Sequence, residues 1–71
     1  MNEDEIFGVV ERFVFQNEET GFSVLLLKTK EKLLVTVTGS FVNIHEGQEI
    51  YLKGSWVYNQ KFGKQFQTTS Y

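Results

Sequence analysis

The sequence contains no cysteine and no proline, and it has no uninterrupted apolar run near eighteen residues. Without cysteine, neither a disulfide nor a thiolate zinc site can stabilise the fold, which suits a reducing cytoplasm. Without proline, no strand is barred from pairing along both edges. The sequence predicts neither a membrane span nor a signal peptide, because it lacks a long apolar run and a basic start before one. We therefore expect a cytoplasmic chain with no membrane partner.

Aromatic residues are abundant instead, with seven Phe, three Tyr and one Trp in 71 residues. A chain this short buries only about 60% of the surface that its unfolded form exposes, so its core must be compact. Large rings suit that need because each removes much apolar area from water. Apolar residues follow a period of two, and no segment sustains the spacing of an amphipathic helix. The sequence predicts an all-β fold.

Five strands account for most of the chain. They are predicted at Ile6–Gln16, Phe22–Thr29, Leu33–Thr38, Gln48–Tyr58 and Gln65–Tyr71. The alternation of the first strand slips between Gly8 and Arg12, which indicates a bulge that lets one long strand serve two sheets. Residues 1–5 are interpreted as a flexible acidic N-terminus, and residues 6–71 as a single domain.

The strands are expected to form a meander that closes as a small five-stranded OB-like barrel. OB folds usually insert a helix between strands 3 and 4, but residues 39–47 are too few for a helix of normal length. The predicted connection is therefore a shortened one. An SH3-like barrel would also use a curled first strand and is the alternative.

Alternation in the fourth strand predicts which of its side chains face the core. The inward set is Ile50, Leu52, Gly54, Trp56 and Tyr58, and the outward set is Glu49, Tyr51, Lys53 and Ser55. We therefore expect Trp56 to be a core residue, and Phe66 of the fifth strand to face the same core.

The stretch NEETG, residues 17–21, separates the first two strands and could be a metal loop or a turn. Asn17, Glu18 and Glu19 supply oxygen atoms, but calcium takes about six to eight oxygen ligands from a loop with wider spacing. Asn17 can instead close a turn on its own backbone, and Gly21 can adopt the positive φ of a hairpin. The stretch predicts a hairpin, and a glycine in NQKFGK indicates a second one.

The net charge of −2 is distributed unevenly along the chain. Residues 1–27 contain one Arg against six acidic residues, a net charge of −5, whereas residues 28–71 contain six Lys against three, a net charge of +3. Such asymmetry can orient a basic face toward a polyanion. Lys28 and Lys30 are candidate phosphate contacts, with Lys32 beside them. A solvated surface of mixed charge is the alternative.

No catalytic constellation is recognisable in the sequence. The single histidine, His45, lies in a glycine-flanked loop without a cysteine or an adjacent triad partner, so we interpret it as solvated. No GxxxxGK[ST] run is present to cradle phosphate. The chain is predicted to be non-catalytic, with no metal site and no cofactor of its own.

Binding is the better interpretation, because OB barrels bind oligonucleotides or oligosaccharides on the face of strands 2 and 3. The loops that frame this face would be residues 17–21 and 59–64. In the second loop, Lys61 and Lys64 flank Phe62, and this mixture of cations and a stacking ring favours single-stranded DNA. In the alternative, Phe62 folds back as a plug over the barrel end, because an exposed ring is costly when no ligand covers it.

Three stretches together resemble a known family: VERFVFQNEETGFSVLLLK, VTVTGSF and GQEIYLKGSWVYNQKFGKQFQTTSY. They are similar to the N-terminal OB-type domain of the RecD-like ATP-dependent DNA helicases, the long type that works without RecB and RecC. The resemblance covers the chain from Gly8 onward and rests on FQNEETGF combined with G.W....FG.QF. Its scaffold and hairpin positions here are Gly54, Trp56, Phe62, Gly63, Gln65 and Phe66.

The resemblance implies a full-length protein that unwinds duplex DNA in the 5′ to 3′ direction, with ATP and Mg as cofactors, in DNA repair or recombination. Its motor domains would lie beyond Tyr71. The partners implied are single-stranded DNA, the motor domains of the same chain and a further repair protein. Our hypothesis is a module that assists single-stranded DNA engagement; the alternative is a protein docking module that uses the acidic first half.

Overall fold

The computed structural model of the chain describes residues 3–61 and 63–70. Its strands are β1 (Asp4–Gln16), β2 (Phe22–Thr29), β3 (Leu34–Ser40), β4 (Glu49–Asn59) and β5 (Gly63–Ser70). They close into a barrel in the order β1-β2-β3-β5-β4. The predicted all-β, OB-like barrel is therefore confirmed. Over the two described ranges, no helix has the length and hydropathy needed to cross a membrane.

The loops that join consecutive strands are named L12 (residues 17–21), L23 (30–33), L34 (41–48) and L45 (60–62). L45 connects β4 to β5, and its residue 62 is outside the described part of the chain.

The barrel is not the simple meander that the sequence predicted, because β5 lies between β3 and β4. The β3–β5 pairing is parallel and short, with Val37 opposite Phe66 and Thr38 opposite Gln67. The cause is the length of β1, whose 13 residues are enough to pair with two strands. Since β4 occupies the first half of β1, the strand that folds back from β4 meets β3 and closes the sheet.

Two register shifts let β1 curl between its two partners. Residues 8–16 of β1 pair with β2, residues 4–9 pair with β4, and the ladder with β2 slips between Val10 and Arg12 and again between Phe13 and Phe15. The first slip confirms the predicted bulge. β1 begins at Asp4, two residues before the predicted start, because the backbone continues to pair with β4 there.

The core consists of buried apolar side chains from all five strands and from L34. They are Val10, Leu25, Leu27, Val37, Phe41, Ile44, Ile50, Leu52 and Phe66. Phe41 and Ile44 come from L34, which contains no helix in its eight described residues. These two side chains bury apolar surface from a loop, so the shortened connection still contributes to the core. The backbone N–H of Phe41 also donates to the carbonyl of Gly21 at 3.0 Å, which ties L34 to L12.

Trp56 departs from the prediction that it is a core residue. Ile50, Leu52 and Gly54 are buried as expected, but 38% of Trp56 and 82% of Tyr58 are exposed. Trp56 lies opposite Phe66, and its ring meets the buried Phe66 ring edge-on with centroids 5.0 Å apart. The alternation of side chains therefore predicted the correct face of β4 for Trp56. Because β4 extends past the end of the core, Trp56 covers the rim of the barrel and is not enclosed in it.

The outer face of β4 carries one hydrogen bond that affects a titration. The Tyr51 hydroxyl bonds to the Glu5 carboxylate, and this bond, followed by desolvation and the negative charge of Glu5, raises the pKa of Tyr51 above its ordinary value of about 10. Any stability contributed by this pair is present below the ordinary pKa and is lost as the pH rises through the raised one.

Replacement of Glu5 by Gln is expected to lower the pKa of Tyr51, because the neutral amide no longer opposes formation of the phenolate. A spectrophotometric titration of the tyrosines measures this, with Tyr51→Phe identifying the step that belongs to Tyr51. If Glu5→Gln left that step in place, the carboxylate of Glu5 would not be the cause of the shift.

Candidate nucleic-acid interface

L12 is a hairpin turn, as the sequence predicted, and the side-chain oxygen of Asn17 accepts hydrogen bonds from the backbone of the turn. Asn17 Oδ1 accepts the backbone N–H groups of Glu19 at 2.9 Å and Thr20 at 3.2 Å. Gly21 has a φ of 79°, which a residue with a Cβ adopts only with strain. The turn presents the side chains of Glu18 and Glu19 to solvent. L12 therefore ends the first hairpin with two exposed negative charges.

The second register shift in β1 brings Phe15 to the outside of the barrel. Phe13 lies opposite the buried Leu25, and the next pair along the ladder is Phe15 with Val24, so Val14 is the extra residue. In an unbroken ladder, Val14 would oppose Val24 and Phe15 would point inward. The bulge instead leaves Phe15 53% exposed and Val14 56% exposed.

Phe22 completes an aromatic pair across the first hairpin. It is 41% exposed on the outer face of β2, and its ring centroid lies 6.3 Å from that of Phe15 at an interplanar angle of 55°. Phe15 lies shortly before L12 and Phe22 lies directly after it. They form a paired aromatic surface, accessible from solvent, on the outside of β1 and β2.

A hollow of about 340 Å³, the groove, adjoins this pair. Its walls come from four strands, β1, β2, β3 and β5, and the residues are Val14, Phe15, Val24, Thr36 and Gln65. Three of the five are apolar, and the two polar ones lie on adjacent strands, β3 and β5. The groove is therefore an apolar channel with polar groups along one side.

A second hollow, of about 320 Å³, adjoins the groove because both are lined by Thr36. Its other lining residues are Leu33 of L23, Leu34 and Val35 of β3, Trp56 and Lys64. The Lys64 ammonium nitrogen is 4.6 Å from the centroid of the Trp56 ring, within the range of a cation–π contact. The two hollows together extend from Phe15 to the exposed rim at Trp56.

The structure divides the site residues predicted from the sequence into two groups. Lys61 and Lys64 belong to the β4–β5 hairpin, where the Lys61 backbone N–H donates to Asn59 Oδ1 at 2.8 Å. Lys28 and Lys30 line a separate hollow of about 270 Å³ with Phe7, Val9 and Glu49, among others. The predicted role of Phe62 falls outside the residues that the structure describes. Of the predicted site residues within the described ranges, Lys64 alone lines the hollow that adjoins the groove.

The charges of the loops differ at the two ends of β3. L12 carries Glu18 and Glu19, whereas L23 and the turn end of the β4–β5 hairpin carry four lysines and one acid: Lys30, Lys32, Lys61, Lys64 and Glu31. Lys28 adjoins them at the end of β2. L23 and the β4–β5 hairpin meet at one end, since Leu33 and Lys64 line the same hollow. The groove therefore lies between an acidic loop and a basic rim.

Sequence reasoning did not identify Phe15, Phe22 or Gln65 as candidate binding residues. Phe15 lies two residues before L12 and Phe22 directly after it, and residues that flank a hairpin loop lie on neighbouring strands, so their proximity had a signal in the sequence. The outward direction of Phe15 had none, because it depends on the second bulge. Gln65 reaches the groove only through the parallel β3–β5 pairing, which joins residues distant in sequence.

The five-stranded closed barrel, with one long bulged strand shared between two neighbours, defines an OB fold. The family model of the OB-fold domain of ATP-dependent DNA helicase YrrC matches residues 3–71, and the chain belongs to this family. Neither the curated proteins nor the solved structures include a significant match to the chain.

Proposed function

We propose that this chain is the non-catalytic OB module of a RecD-like, ATP-dependent 5′ to 3′ DNA helicase, and that its groove engages single-stranded DNA. The observation that carries the proposal is the exposed Phe15–Phe22 pair beside the groove. Membership of the OB-fold family of ATP-dependent DNA helicase YrrC supports the proposal. ATP and Mg would act in motor domains of the full-length protein, in the cytoplasm, during repair or recombination.

Stacking explains why two half-exposed rings lie on the outer face. An exposed apolar patch is unfavourable in water, and a ligand that covers it recovers that free energy. Base stacking on an aromatic side chain contributes about 1–3 kcal/mol per base and tolerates any base sequence. A single strand crossing the groove can place bases on Phe15 and Phe22, so the pair suits binding without strong sequence preference.

Phosphate contacts would come from cations around the groove. Arg12 is exposed and opposite Leu26, on the same outer side of the β1–β2 ladder as Phe15 and Val24. Lys64 lines the adjoining hollow. Single strands lose affinity with salt at a slope near −0.7 per neutralised phosphate, so these cations make the binding salt-dependent.

The decisive experiment replaces both rings by leucine, which keeps apolar bulk but removes the stacking surface. Phe15→Leu with Phe22→Leu is expected to weaken binding of a fluorescent single-stranded oligonucleotide by at least about tenfold, the equivalent of about 1.4 kcal/mol. Tyr51→Leu is the matched control, because Tyr51 is similarly exposed but lies on β4, outside the groove. Equal affinities for the wild type and the double variant would disprove the proposal.

Docking to the motor domains or to another repair protein is the second candidate function. The observation in its favour is a second exposed aromatic pair, Phe7 opposite Tyr51 on the β1–β4 ladder. Phe7 lies in the acidic first part of the chain, residues 1–27, and Tyr51 lies on the neighbouring strand β4. Salt separates the two functions: DNA affinity that falls steeply from about 50 to 200 mM salt indicates phosphate contacts. No detectable DNA binding at low salt would favour docking.

A further inference from the structure

We propose that the groove is a pocket for one unstacked nucleobase and that Gln65 reads the edge of that base, with adenine preferred. The proposal rests on the function proposed above and adds a specificity to it. Stacking on Phe15 and Phe22 requires no particular base, whereas the polar side of the groove offers a means to distinguish bases.

The shape and lining of the groove fit a flat ring with one polar edge. Val14 and Val24 give apolar contacts, and Phe15 provides a ring face at one end. Sites for small ligands are typically apolar surfaces with a few placed polar groups that fix the orientation of the ligand. The described residues of the lining provide two such groups, and the volume of about 340 Å³ leaves room for a base and its solvent.

Those two groups are Thr36 and Gln65, and the strand pairing places them side by side. The parallel register sets Val37 beside Phe66, both buried, so the preceding residues Thr36 and Gln65 share the outer side. Both are half-buried. Within the described ranges, no side-chain hydrogen bond engages the Thr36 hydroxyl or the Gln65 amide. Their donors and acceptors are available to a ligand.

A glutamine amide presents one acceptor and one donor group in a plane, which matches the amino group and ring nitrogen of adenine. Paired hydrogen bonds from Asn or Gln to adenine are a recurrent mode of base readout. The Thr36 hydroxyl can donate or accept and therefore supplements the contact without choosing the base. Gln65 is thus the residue from which a preference is expected.

The test uses an eleven-nucleotide oligothymidylate and the same oligonucleotide with one central adenine. The affinity for oligothymidylate alone tests the function proposed above. The ratio of the two affinities tests the pocket, and we expect the adenine-containing strand to bind about fivefold to tenfold more tightly to the wild type. Gln65→Leu is expected to reduce this ratio to near one, whatever its own affinity for oligothymidylate, because the ratio compares two strands bound by the same variant.

Gln67→Leu is the matched control. Gln67 is exposed on the same strand, two residues further along, and does not line the groove. It should keep the full preference for adenine. If the wild type bound both strands equally, or if Gln65→Leu kept the preference, the pocket would be disproved although DNA binding itself stood. If oligothymidylate did not bind at all, the proposed function would fail first.

Discussion

Replacement of Gly54 by alanine is expected to destabilise the barrel by about 3 kcal/mol, a large share of the roughly 4–11 kcal/mol available to a chain of this size. A Cβ at this position would lie 2.1 Å from the carbonyl oxygen of Gln67 and 2.8 Å from the Cα of Thr68. Both are backbone atoms of β5, so no side-chain rotation relieves the clash. β5 would have to move away from β4.

The position of Gly54 in the sheet explains why the two backbones approach so closely. Gly54 pairs with Asp4 of β1 on one side and with Thr68 of β5 on the other, and the β4–β5 register shifts just before it. The ladder with β1 therefore ends, and the regular ladder with β5 begins, at this residue. A Cβ here would disturb both ladders and the closure of the barrel.

Urea unfolding followed by far-UV circular dichroism measures the loss. Gly47→Ala is the control, because a Cβ at Gly47 meets no atom within 4 Å and only the positive φ of 87° opposes it. That strain is expected to cost about 1 kcal/mol. A Gly54→Ala protein no less stable than the Gly47→Ala protein would show that β5 yields easily.

Most of the strand pattern was predictable because it is local. Alternating side chains and turn residues are properties of short stretches, and the structure has β2 at the predicted residues and L12 as the predicted hairpin. Phe66 is buried as predicted. These features need only the period of a strand and the chemistry of Asn17 and Gly21.

The features that position the groove were not predictable because they are not local. The β3–β5 closure joins Val37 to Phe66, which are far apart in the sequence, and loop chemistry carries no signal for it. The second bulge reverses the direction of Phe15, and the exposure of Trp56 depends on where the core ends. The predicted binding residues were therefore Phe62 and four lysines in or beside hairpin turns, whereas the groove is lined by strand residues of four different segments.

Reversal of the two charges on L12 is expected to strengthen binding of single-stranded DNA by about tenfold at 50 mM salt. Glu18 and Glu19 are exposed on the loop between Phe15 and Phe22, so they repel phosphates at that end of the groove. Glu18→Lys with Glu19→Lys removes this repulsion and can add phosphate contacts. If two contacts form, the slope of affinity against salt steepens by about 1.4.

The bonds that shape L12 do not involve these side chains, because Asn17 Oδ1 accepts backbone N–H groups. The variant should therefore keep its fold. Asp4→Lys with Glu5→Lys is the control with the same change in net charge, on the β1–β4 ladder. Asp4 and Glu5 pair with Gly54 and Lys53 of β4, a strand that is not among the described walls of the groove, so the control should change affinity less than about twofold.

The opposite reversal, Lys61→Glu with Lys64→Glu, tests the basic rim and is expected to abolish DNA binding while sparing any docking to a protein partner. Lys64 lines the hollow that adjoins the groove and contacts Trp56, so its reversal places a negative charge where the strand would leave the groove. Titrations at several salt concentrations measure both reversals. If both the L12 variant and the rim variant bound DNA like the wild type, the DNA strand would not pass between L12 and the β4–β5 hairpin. The groove would then be better explained as an apolar docking surface.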